Sequence, residues 1–463
     1  MTAKENAVFD FWNSLERIGI EWLILRNYGQ RQLVKGRDVD LFMRFEDVPR
    51  AIKLLIVCSK RFGGSVLHFY RRHHLIALYI RFPEEEKPLH VDFYHGAFSW
   101  AGIEYLSHDQ VLKSRRQYCG LPIPAPEHEA AVLTLASLLD GGFVNKRYLP
   151  RVRMLLDSRV ALDVFENDLR PVFGKQALGQ LRDLALGSGS FDRSDELALA
   201  KLLRNALVLR SVRASPMATS LGFVKWCWSE MRRFASPSGP VVVITGPDGS
   251  GKSTVIAAIR ERLGEWIGVG RVFHWRPGLL SDAGRVGRRH YECRAKVHSE
   301  PHSKGSHGFV LSALRLGYYL TDYWLGYLVL VRRDLARNRV VFFDRYAVDM
   351  EVDPKRFRFR LPKWLLSLPG AVVPRPNLVI ALIAPGEILV ARKPELSVAV
   401  ADQLSKLYLA AVARFENGQV QDASLPKNVV VEQVYQLVLD AMMQSAATRL
   451  AGLGMDGGSV RER

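Results

Sequence analysis

The first part of the chain alternates short apolar runs with polar stretches, which is typical of a mixed α/β fold. Apolar residues recur with helical spacing over about residues 5–18 and predict a helix there. Later runs have the length and apolar content of strands, at residues 22–26, 39–43, 75–80 and 89–94. Together these elements predict an α/β domain over residues 1–123.

Residues 124–210 have a different pattern. Long segments such as EHEAAVLTLASLLDGG place apolar residues at helical spacing, which predicts a helical section. Residues 211–239 combine a basic amphipathic patch with a Ser-, Pro- and Gly-rich end, which predicts a linker carrying one short helix. Trp226, Trp228, Arg232 and Arg233 would suit a helix on a membrane surface, but packing between two domains is the simpler interpretation.

Beyond residue 240, apolar runs alternate with helical segments and predict a parallel sheet. The runs lie at residues 241–244, 271–275, 340–343, 378–382 and 428–431. We therefore predict a doubly wound parallel sheet with helices on both faces over residues 240–445. Residues 446–463 end in a Gly- and Arg-rich stretch and are predicted to form a flexible tail.

Residues 311–331 form the most apolar stretch, and its length is close to that of a membrane span. Arg315 and Asp322 interrupt it, and charges at the centre of a lipid-facing span are costly. Seven residues apart, these two side chains would share one face of a helix. We therefore predict a buried helix whose charged face lines a cleft.

Length and charge narrow the function classes. A chain of 463 residues suggests two or three domains. The net charge of +18 favours anionic partners, but no long Lys/Arg block or aromatic-basic RNA signature is present, which argues against nucleic acid. Cys58, Cys119, Cys227 and Cys293 lack the spacing of a disulfide framework or a zinc site. Without a signal-peptide pattern, the expected location is the cytoplasm.

A glycine-rich segment follows the run at 241–244. It consists of Gly246, Pro247, Asp248, Gly249, Ser250, Gly251, Lys252, Ser253 and Thr254, with a helix-compatible segment behind it. This is the P-loop, or Walker A, pattern G-x-x-x-x-G-K-[ST] between a strand and a helix. Its backbone N–H groups can surround a β-phosphate, Lys252 can reach the β- and γ-phosphates, and Ser253 can coordinate Mg2+. The segment predicts binding of ATP with magnesium.

Asp344 is the second predicted magnesium ligand. It ends the strand predicted at 340–343, at the edge of the sheet where the glycine-rich loop also emerges. An acidic side chain at this edge can hold magnesium directly or through water. A turn or helix cap is the alternative role for an aspartate at a strand end.

With these residues, the C-terminal region resembles the thymidylate kinase family of nucleoside monophosphate kinases over about residues 240–443. Asp248 matches the acidic residue of that family's loop, and Asp344-Arg345-Tyr346 resembles its Asp-Arg motif. Arg392-Lys393, with Gln403 and Tyr408 behind them, are similar to its basic lid and the following helix.

The resemblance implies a role for each of these side chains. Asp248 would contact a sugar hydroxyl of the acceptor, and Arg345 would bind the acceptor phosphate through two parallel contacts. Arg392 and Lys393 would close over the γ-phosphate and exclude water. Solvated basic residues on a helix are the alternative interpretation of Arg392 and Lys393.

The acceptor region departs from the family pattern. His274-Trp275-Arg276-Pro277 stand where thymidylate kinases have a Phe-Pro-Arg segment that reads the base. Residues 347–356 stand where that family usually has Ser and Ala-Tyr-Gln after its Asp-Arg motif. An Arg- and His-rich insert covers residues 278–308. Arg276-Pro277-Gly278 after the second strand, and Asp344-Arg345-Tyr346 followed by a DP-x-R pattern at residues 353–356, look closer to thymidylate kinase-like proteins found among surface-polysaccharide genes. The acceptor stays open.

The N-terminal domain carries a second set of carboxylates. Asp38 and Asp40 are two residues apart on a strand and point to one face, and Asp92 lies on another strand. Three such carboxylates could hold two magnesium ions, and the pattern resembles the nucleotidyltransferase fold. The Gly-Ser pair typical of that fold is reduced to Gly29-Gln30, and Arg37 replaces a common serine. An active nucleotidyltransferase and a degenerate fold both remain open.

The leading hypothesis is a cytosolic enzyme that transfers a phosphoryl group from ATP to thymidylate or another small phosphate- or sugar-bearing acceptor. Lys252, Asp344, Arg345, Arg392 and Lys393 are its predicted catalytic residues. One alternative is a regulatory protein in which ATP binding only repositions the N-terminal module. Another is nucleotidyl transfer by that module in surface-polysaccharide metabolism. The sequence also leaves a homodimer open.

Overall fold

The computed structural model describes residues 2–28, 38–188, 191–280 and 308–455. Their contacts divide the chain into two units, Met1–Arg233 with Ala446–Arg463, and Phe234–Ser445. Several predictions fall outside the described residues. They concern Gly29-Gln30, Arg37, Cys293 and residues 281–307 of the insert.

The first unit begins with the predicted α/β elements. They are α1 (Ala3–Arg17), β1 (Trp22–Ile24), β2 (Val39–Met43), α2 (Val48–Arg61), β3 (Ser65–Arg72), β4 (Leu75–Arg81) and β5 (Leu89–His95). Two small hairpins and a short helix follow, namely β6 (Phe98–Trp100), β7 (Ile103–Leu106), α3 (His108–Lys113), β8 (Arg116–Tyr118) and β9 (Leu121–Ile123). The helical section comprises α4 (Pro126–Gly141), α5 (Leu149–Leu155), α6 (Arg159–Leu186), α7 (Arg193–Ala214) and α8 (Pro216–Ala235).

A mixed five-stranded sheet organises this unit, in the order β1-β2-β5-β4-β3. Strands β2 and β5 are parallel neighbours, and their register places Asp40 opposite Asp92. One face packs against α1 and α2 through residues such as Leu41 and Phe93. The other face, through Leu23 and Phe42, packs against the helical section. Successive side chains of β2 therefore enter two different hydrophobic cores on the two faces of the sheet. The strands predicted for this domain and its first helix are confirmed.

The second unit alternates strand and helix. Its elements begin with β10 (Val241–Thr245), α9 (Lys252–Gly264), β11 (Val269–His274), α10 (Phe309–Gly326), α11 (Arg332–Ala336), β12 (Val340–Asp344) and α12 (Asp349–Val352). They continue with α13 (Lys363–Val372), β13 (Leu378–Ile383), α14 (Gly386–Arg392), α15 (Val398–Val412), β14 (Gly418–Asp422) and α16 (Lys427–Gly452).

The strands form a five-stranded parallel sheet in the order β11-β12-β10-β13-β14, so the second unit is an α/β structure. β10 lies at its centre, and every residue of β10 and β12 is buried. Both strands therefore consist almost entirely of Val, Ile and Phe. Their register pairs Ile244 with Asp344, which brings the ends of the two strands together.

The strand predicted at residues 428–431 is wrong. These residues begin α16, where Val430, Val434 and Val438 are buried with helical spacing. The fifth strand is instead β14, whose sequence GQVQD is mostly polar and half-exposed. A triplet of β-branched residues suits either element, and the buried period over a longer window decides between them.

Two further segments are more helical than predicted. α7 reaches Ala214 and α8 follows from Pro216 to Ala235, so most of the predicted linker is helix. The predicted tail also begins as helix. Ala446, Leu450 and Met455 are buried in the same core as α1 and α2, because the apolar spacing of α16 continues past residue 445. Residues 456–463 lie outside the described residues.

The apolar stretch at 311–331 forms α10 and a π-helical turn, Tyr327–Val331. Leu316, Tyr319 and Tyr323 are buried, whereas Val310, Leu314 and Trp324 are exposed, so only one face of the helix is covered. None of the helices in the described parts of the chain has the length and apolarity that crossing a membrane requires.

Asp322 of α10 is fully buried, and it explains the charge within this stretch. Its carboxylate pairs with Arg276 at 2.9 Å and accepts hydrogen bonds from the N–H groups of Gly278 (2.9 Å) and Leu280 (2.6 Å). Arg276, which lies in the segment that replaces the base-reading residues of thymidylate kinases, is therefore tied to α10. Arg315 donates to the hydroxyl of Tyr319 instead of accompanying Asp322 in a cleft.

Candidate functional site

The glycine-rich loop joins the central strand β10 to α9. Gly246 and Gly249 have φ of 140° and 83°, in the region that favours glycine. A Cβ atom on Gly246 would lie 2.3 Å from the carbonyl oxygen of Leu382, and one on Gly249 would lie 2.5 Å from that of Leu389. The loop is therefore closely apposed to the end of β13 and to α14, and larger residues do not fit at these two positions.

Lys252 is the first residue of α9, and its side chain is buried beneath the loop. Its ammonium group donates to the carbonyl oxygens of Gly246 (3.0 Å) and Pro247 (2.7 Å). Burial, reinforced by the nearby charge of Arg345, lowers the pKa of Lys252 to about 7. The folded protein thus stabilises the charged form of Lys252 less than water does.

Ser253 and Asp344 connect the loop to the neighbouring strand. The Ser253 hydroxyl donates to Oδ2 of Asp344 at 2.8 Å. Oδ1 of Asp344 is buried and has no hydrogen-bond partner among the described residues. One carboxylate beside one hydroxyl, with an unsatisfied oxygen, fits a magnesium ion that takes its other ligands from phosphate and water. No cluster of three His, Cys, Asp or Glu suited to a metal occurs within the described ranges.

Three cationic side chains converge on Asp248 in the same loop. Arg345 Nη2 lies 2.8 Å from Oδ1, Arg356 Nη1 lies 2.5 Å from Oδ2, and Lys393 Nζ lies 3.9 Å from Oδ1. Burial alone would raise the pKa of Asp248, but the guanidinium groups of Arg345 and Arg356 hold it well below its ordinary value. The carboxylate therefore lies where two guanidinium groups and an ammonium group stabilise an anion.

Arg345 is held from behind by a second carboxylate. Its Nη1 donates to Asp349 Oδ1 at 3.0 Å and to the Tyr408 hydroxyl at 2.8 Å. Asp349 also accepts hydrogen bonds from the hydroxyls of Thr245 and Tyr408 and from the N–H of Tyr346. Asp349 is fully buried, and Arg345 is nearly so. This network fixes the direction in which Arg345 presents its other amino group to Asp248.

The predicted lid pair is divided. Lys393 reaches the edge of the Asp248 cluster and pairs with Glu395 at 3.1 Å. Arg392 instead donates to the carbonyl oxygen of Ala423 at 2.8 Å, beyond β14. Thr254, the last residue of the glycine-rich motif, is exposed on α9. The structure therefore brings together Asp248, Lys252, Ser253, Asp344, Arg345 and Lys393, but not Arg392.

Arg356 and Asp349 are site residues to which the sequence patterns assigned no role. Arg356 ends the DP-x-R segment, 108 residues from Asp248, and Asp349 lies in the segment that departs from the thymidylate kinase pattern. The available signal was the run of charged residues at 349–356, immediately after the Asp-Arg-Tyr motif. The pairing of each residue depends on the tertiary fold.

The N-terminal carboxylates are adjacent, as their spacing predicts, but each contacts a basic side chain of the same unit. Arg26 contacts Asp40 through two nitrogens, at 2.5 and 3.0 Å. His90 contacts Asp38 at 2.8 Å and Asp92 at 2.9 Å. Although burial lowers the pKa of His90, these two carboxylates raise it to about 10, so the ring is cationic at neutral pH. Each of the three carboxylates thus contacts a basic side chain of the unit, an arrangement that does not fit two magnesium ions.

Comparison with protein-family models gave no match for this chain, and comparison with curated proteins gave none.

Proposed function

We propose that the second unit is an ATP- and magnesium-dependent phosphotransferase whose acceptor itself carries a phosphate group. The observation that carries this proposal is the meeting of Lys252, Ser253 and Asp344 at the ends of β10 and β12. A strand, a glycine-rich loop, a helix and a neighbouring acidic strand end are the parts that bind a nucleotide triphosphate in P-loop enzymes. The central position of β10 supports a doubly wound P-loop fold.

The acceptor class follows from the charge around Asp248. Arg345, Arg356 and Lys393 supply three positive charges within 3.9 Å of one carboxylate. A phosphate monoester carries close to two negative charges at neutral pH and accepts the paired N–H groups of arginine. Such a group would accept charge-assisted hydrogen bonds from the guanidinium groups of Arg345 and Arg356, which are stronger than those that an uncharged sugar would accept. This supports phosphate-bearing acceptors of the thymidylate kinase type, although base recognition stays open.

The residues then have distinct tasks. Lys252 and the N–H groups of the loop bind the phosphates of ATP, and Arg345 and Arg356 hold the acceptor phosphate. Ser253 and Asp344 would hold Mg2+, which neutralises charge on the phosphate oxygens. An acceptor phosphate oxygen forms the new bond to the γ-phosphorus, the bond from that phosphorus to the β–γ bridging oxygen breaks, and ADP leaves. Positioning and charge compensation provide the catalysis.

The proposal predicts which acceptors stimulate ADP release. In matched pairs of nucleosides and their monophosphates, and of sugars and sugar phosphates, only the phosphorylated member should stimulate the reaction. Arg356→Ala should raise the KM for that acceptor about 10- to 100-fold with a smaller change in kcat, because a charged hydrogen bond to the acceptor is lost. Steady-state ADP release with purified full-length protein measures both effects.

Arg360→Ala is the matched control, because Arg360 is an exposed arginine that follows Arg356 closely in the chain. It should leave KM unchanged. Equal stimulation by phosphorylated and unphosphorylated acceptors, or an unchanged KM for Arg356→Ala, would contradict the proposed acceptor class. Slow acceptor-independent hydrolysis with intact ATP binding would favour the regulatory alternative.

ATP binding should also be accompanied by proton uptake near pH 8. With a pKa of about 7, Lys252 is mostly neutral in the free protein at that pH, and bound phosphates favour its charged form. The pKa of Lys252 therefore rises on binding, so a proton is taken up. Titration calorimetry in buffers of different ionisation enthalpy should give an uptake approaching about one proton at pH 8 and much less at pH 6.

Lys252→Arg is the control for this measurement, because arginine stays charged in both states. Its binding enthalpy should not depend on the buffer at pH 8. Buffer-dependent enthalpy of the same size in this variant would assign the proton to another group and remove Lys252 from the explanation.

A further inference from the structure

Helix α8 presents an apolar stripe to solvent. The stripe consists of Met217, Leu221, Val224, Trp228 and Met231, whose spacings alternate between four and three residues and place them on one side of the helix. Met217, Val224 and Trp228 are 84%, 60% and 63% exposed. No residue of α8 is buried, so packing within the described structure does not account for these five side chains.

The opposite side of α8 packs against the rest of the first unit. Gly222 meets the β6–β7 turn so closely that a Cβ atom on Gly102 would lie 2.1 Å from the Gly222 carbonyl oxygen. Thr219, Trp226 and Ser229 share that side of the helix and are half-buried. This contact fixes the rotation of α8 about its axis. The stripe therefore points outward because of the way the helix docks.

The charges beside the stripe have one sign. Lys225 and Arg232 are exposed along one edge of it. The acidic residue of α8, Glu230, is half-buried and pairs with Arg233 at 2.6 Å. If a second copy of the helix packed on this stripe, lysine and arginine would face lysine and arginine without acidic partners, which is unfavourable. An anionic surface meets the same charges favourably.

We propose that α8 binds the surface of an anionic lipid bilayer, with the stripe inserted at the level of the headgroups. An exposed apolar stripe that includes tryptophan, bordered by basic residues, is the pattern of a helix that lies in the membrane interface. Trp228 provides an amphipathic ring suited to that depth, and Lys225 and Arg232 remain near the headgroups. This surface does not involve the glycine-rich loop and is independent of the proposed function.

Co-sedimentation of the full-length protein with lipid vesicles tests the proposal. Vesicles of phosphatidylcholine containing phosphatidylglycerol should bind the protein, vesicles of phosphatidylcholine alone should bind it much more weakly, and high salt should weaken binding. Trp228→Glu and Leu221→Glu should each reduce binding at least about tenfold, because each places a charge in the inserted face. Lys225→Glu combined with Arg232→Glu should abolish the preference for anionic lipid.

Matched substitutions elsewhere in the first unit control for general charge and hydrophobicity. Val160→Glu changes another exposed apolar residue, and Lys175→Glu with Lys201→Glu reverses two other exposed charges. These variants should bind vesicles like the unaltered protein, and thermal unfolding should show that all variants remain folded. Absence of vesicle binding, or binding insensitive to Trp228→Glu, would overturn the proposal. Self-association lost in Leu221→Glu, without vesicle binding, would also overturn it and identify a second copy as the occupant.

Discussion

Replacement of Lys252 by alanine is expected to lower acceptor-dependent ADP release by about 100- to 1000-fold, which is the typical effect of removing one preorganised group that stabilises transition-state charge. Lys252 lies under the loop, where its ammonium group donates hydrogen bonds to the carbonyl oxygens of Gly246 and Pro247. Lys252 is the cationic residue of residues 246–254, so under the proposed function nothing else in the loop replaces its charge at the phosphates. Steady-state ADP release, measured with saturating acceptor, gives the effect.

Lys252→Met controls for loss of side-chain volume at this position. The lowered pKa of Lys252 means that the fold disfavours its charged form, so a neutral chain of similar length should not lower the Tm. We expect this variant to be as inactive as Lys252→Ala. A rate within a few-fold of the unaltered protein in either variant, with the fold intact, would remove the glycine-rich loop from the proposed reaction.

Replacement of Asp349 by alanine is expected to destabilise the second unit by about 3 kcal/mol or more, because it leaves a buried arginine without one of its carboxylate partners. Asp349 holds Arg345 at 3.0 Å and accepts hydrogen bonds from Thr245, Tyr346 and Tyr408. Its removal leaves several buried donors unsatisfied as well. Thermal and urea unfolding, followed with a probe in the second unit, should show the loss.

Asp349→Asn separates the charge from the hydrogen bonds, because the amide retains one acceptor oxygen in a side chain of similar shape. We expect an intermediate loss of stability, together with weakened binding of a phosphorylated acceptor as Arg345 loses its orientation. Asp440→Ala changes an exposed aspartate of the same unit and should alter the free energy of unfolding by no more than about 0.5 kcal/mol. Equal stability of Asp349→Ala and Asp440→Ala would show that the network contributes nothing to the fold.

The strands at the centre of both sheets could be predicted from sequence because burial on two faces leaves a strong local signal. β10, β12 and β13 are nearly continuous runs of apolar residues, and they lie where the runs predict. β14 lies at the edge of the sheet, so its polar sequence carried no such signal. The valines at 429–431 were misassigned because their helical burial becomes visible only with Val434 and Val438.

The residues of the candidate site also include some that a local sequence pattern reveals and others that it does not. The glycine-rich loop is a local feature, since its glycines, Lys252 and Ser253 act within one turn between a strand and a helix, and the sequence alone was enough to identify it. The position of Asp344 beside Ser253 followed from the rule that parallel strands end at one edge of the sheet. Neither inference needed the packing of side chains.

Other features were decided by the tertiary structure alone. Arg345 and Arg356 reach Asp248 across 97 and 108 residues of chain, and no local pattern records such a pairing. In the first unit, the spacing of Asp38 and Asp40 predicted their common face, but only the fold shows that Arg26 and His90 pair with the carboxylates there. The sequence by itself therefore determined the buried central strands, the first helix and the position of the glycine-rich loop. The tertiary structure decided which charges meet, because ion pairing depends on distances in space that sequence separation does not specify.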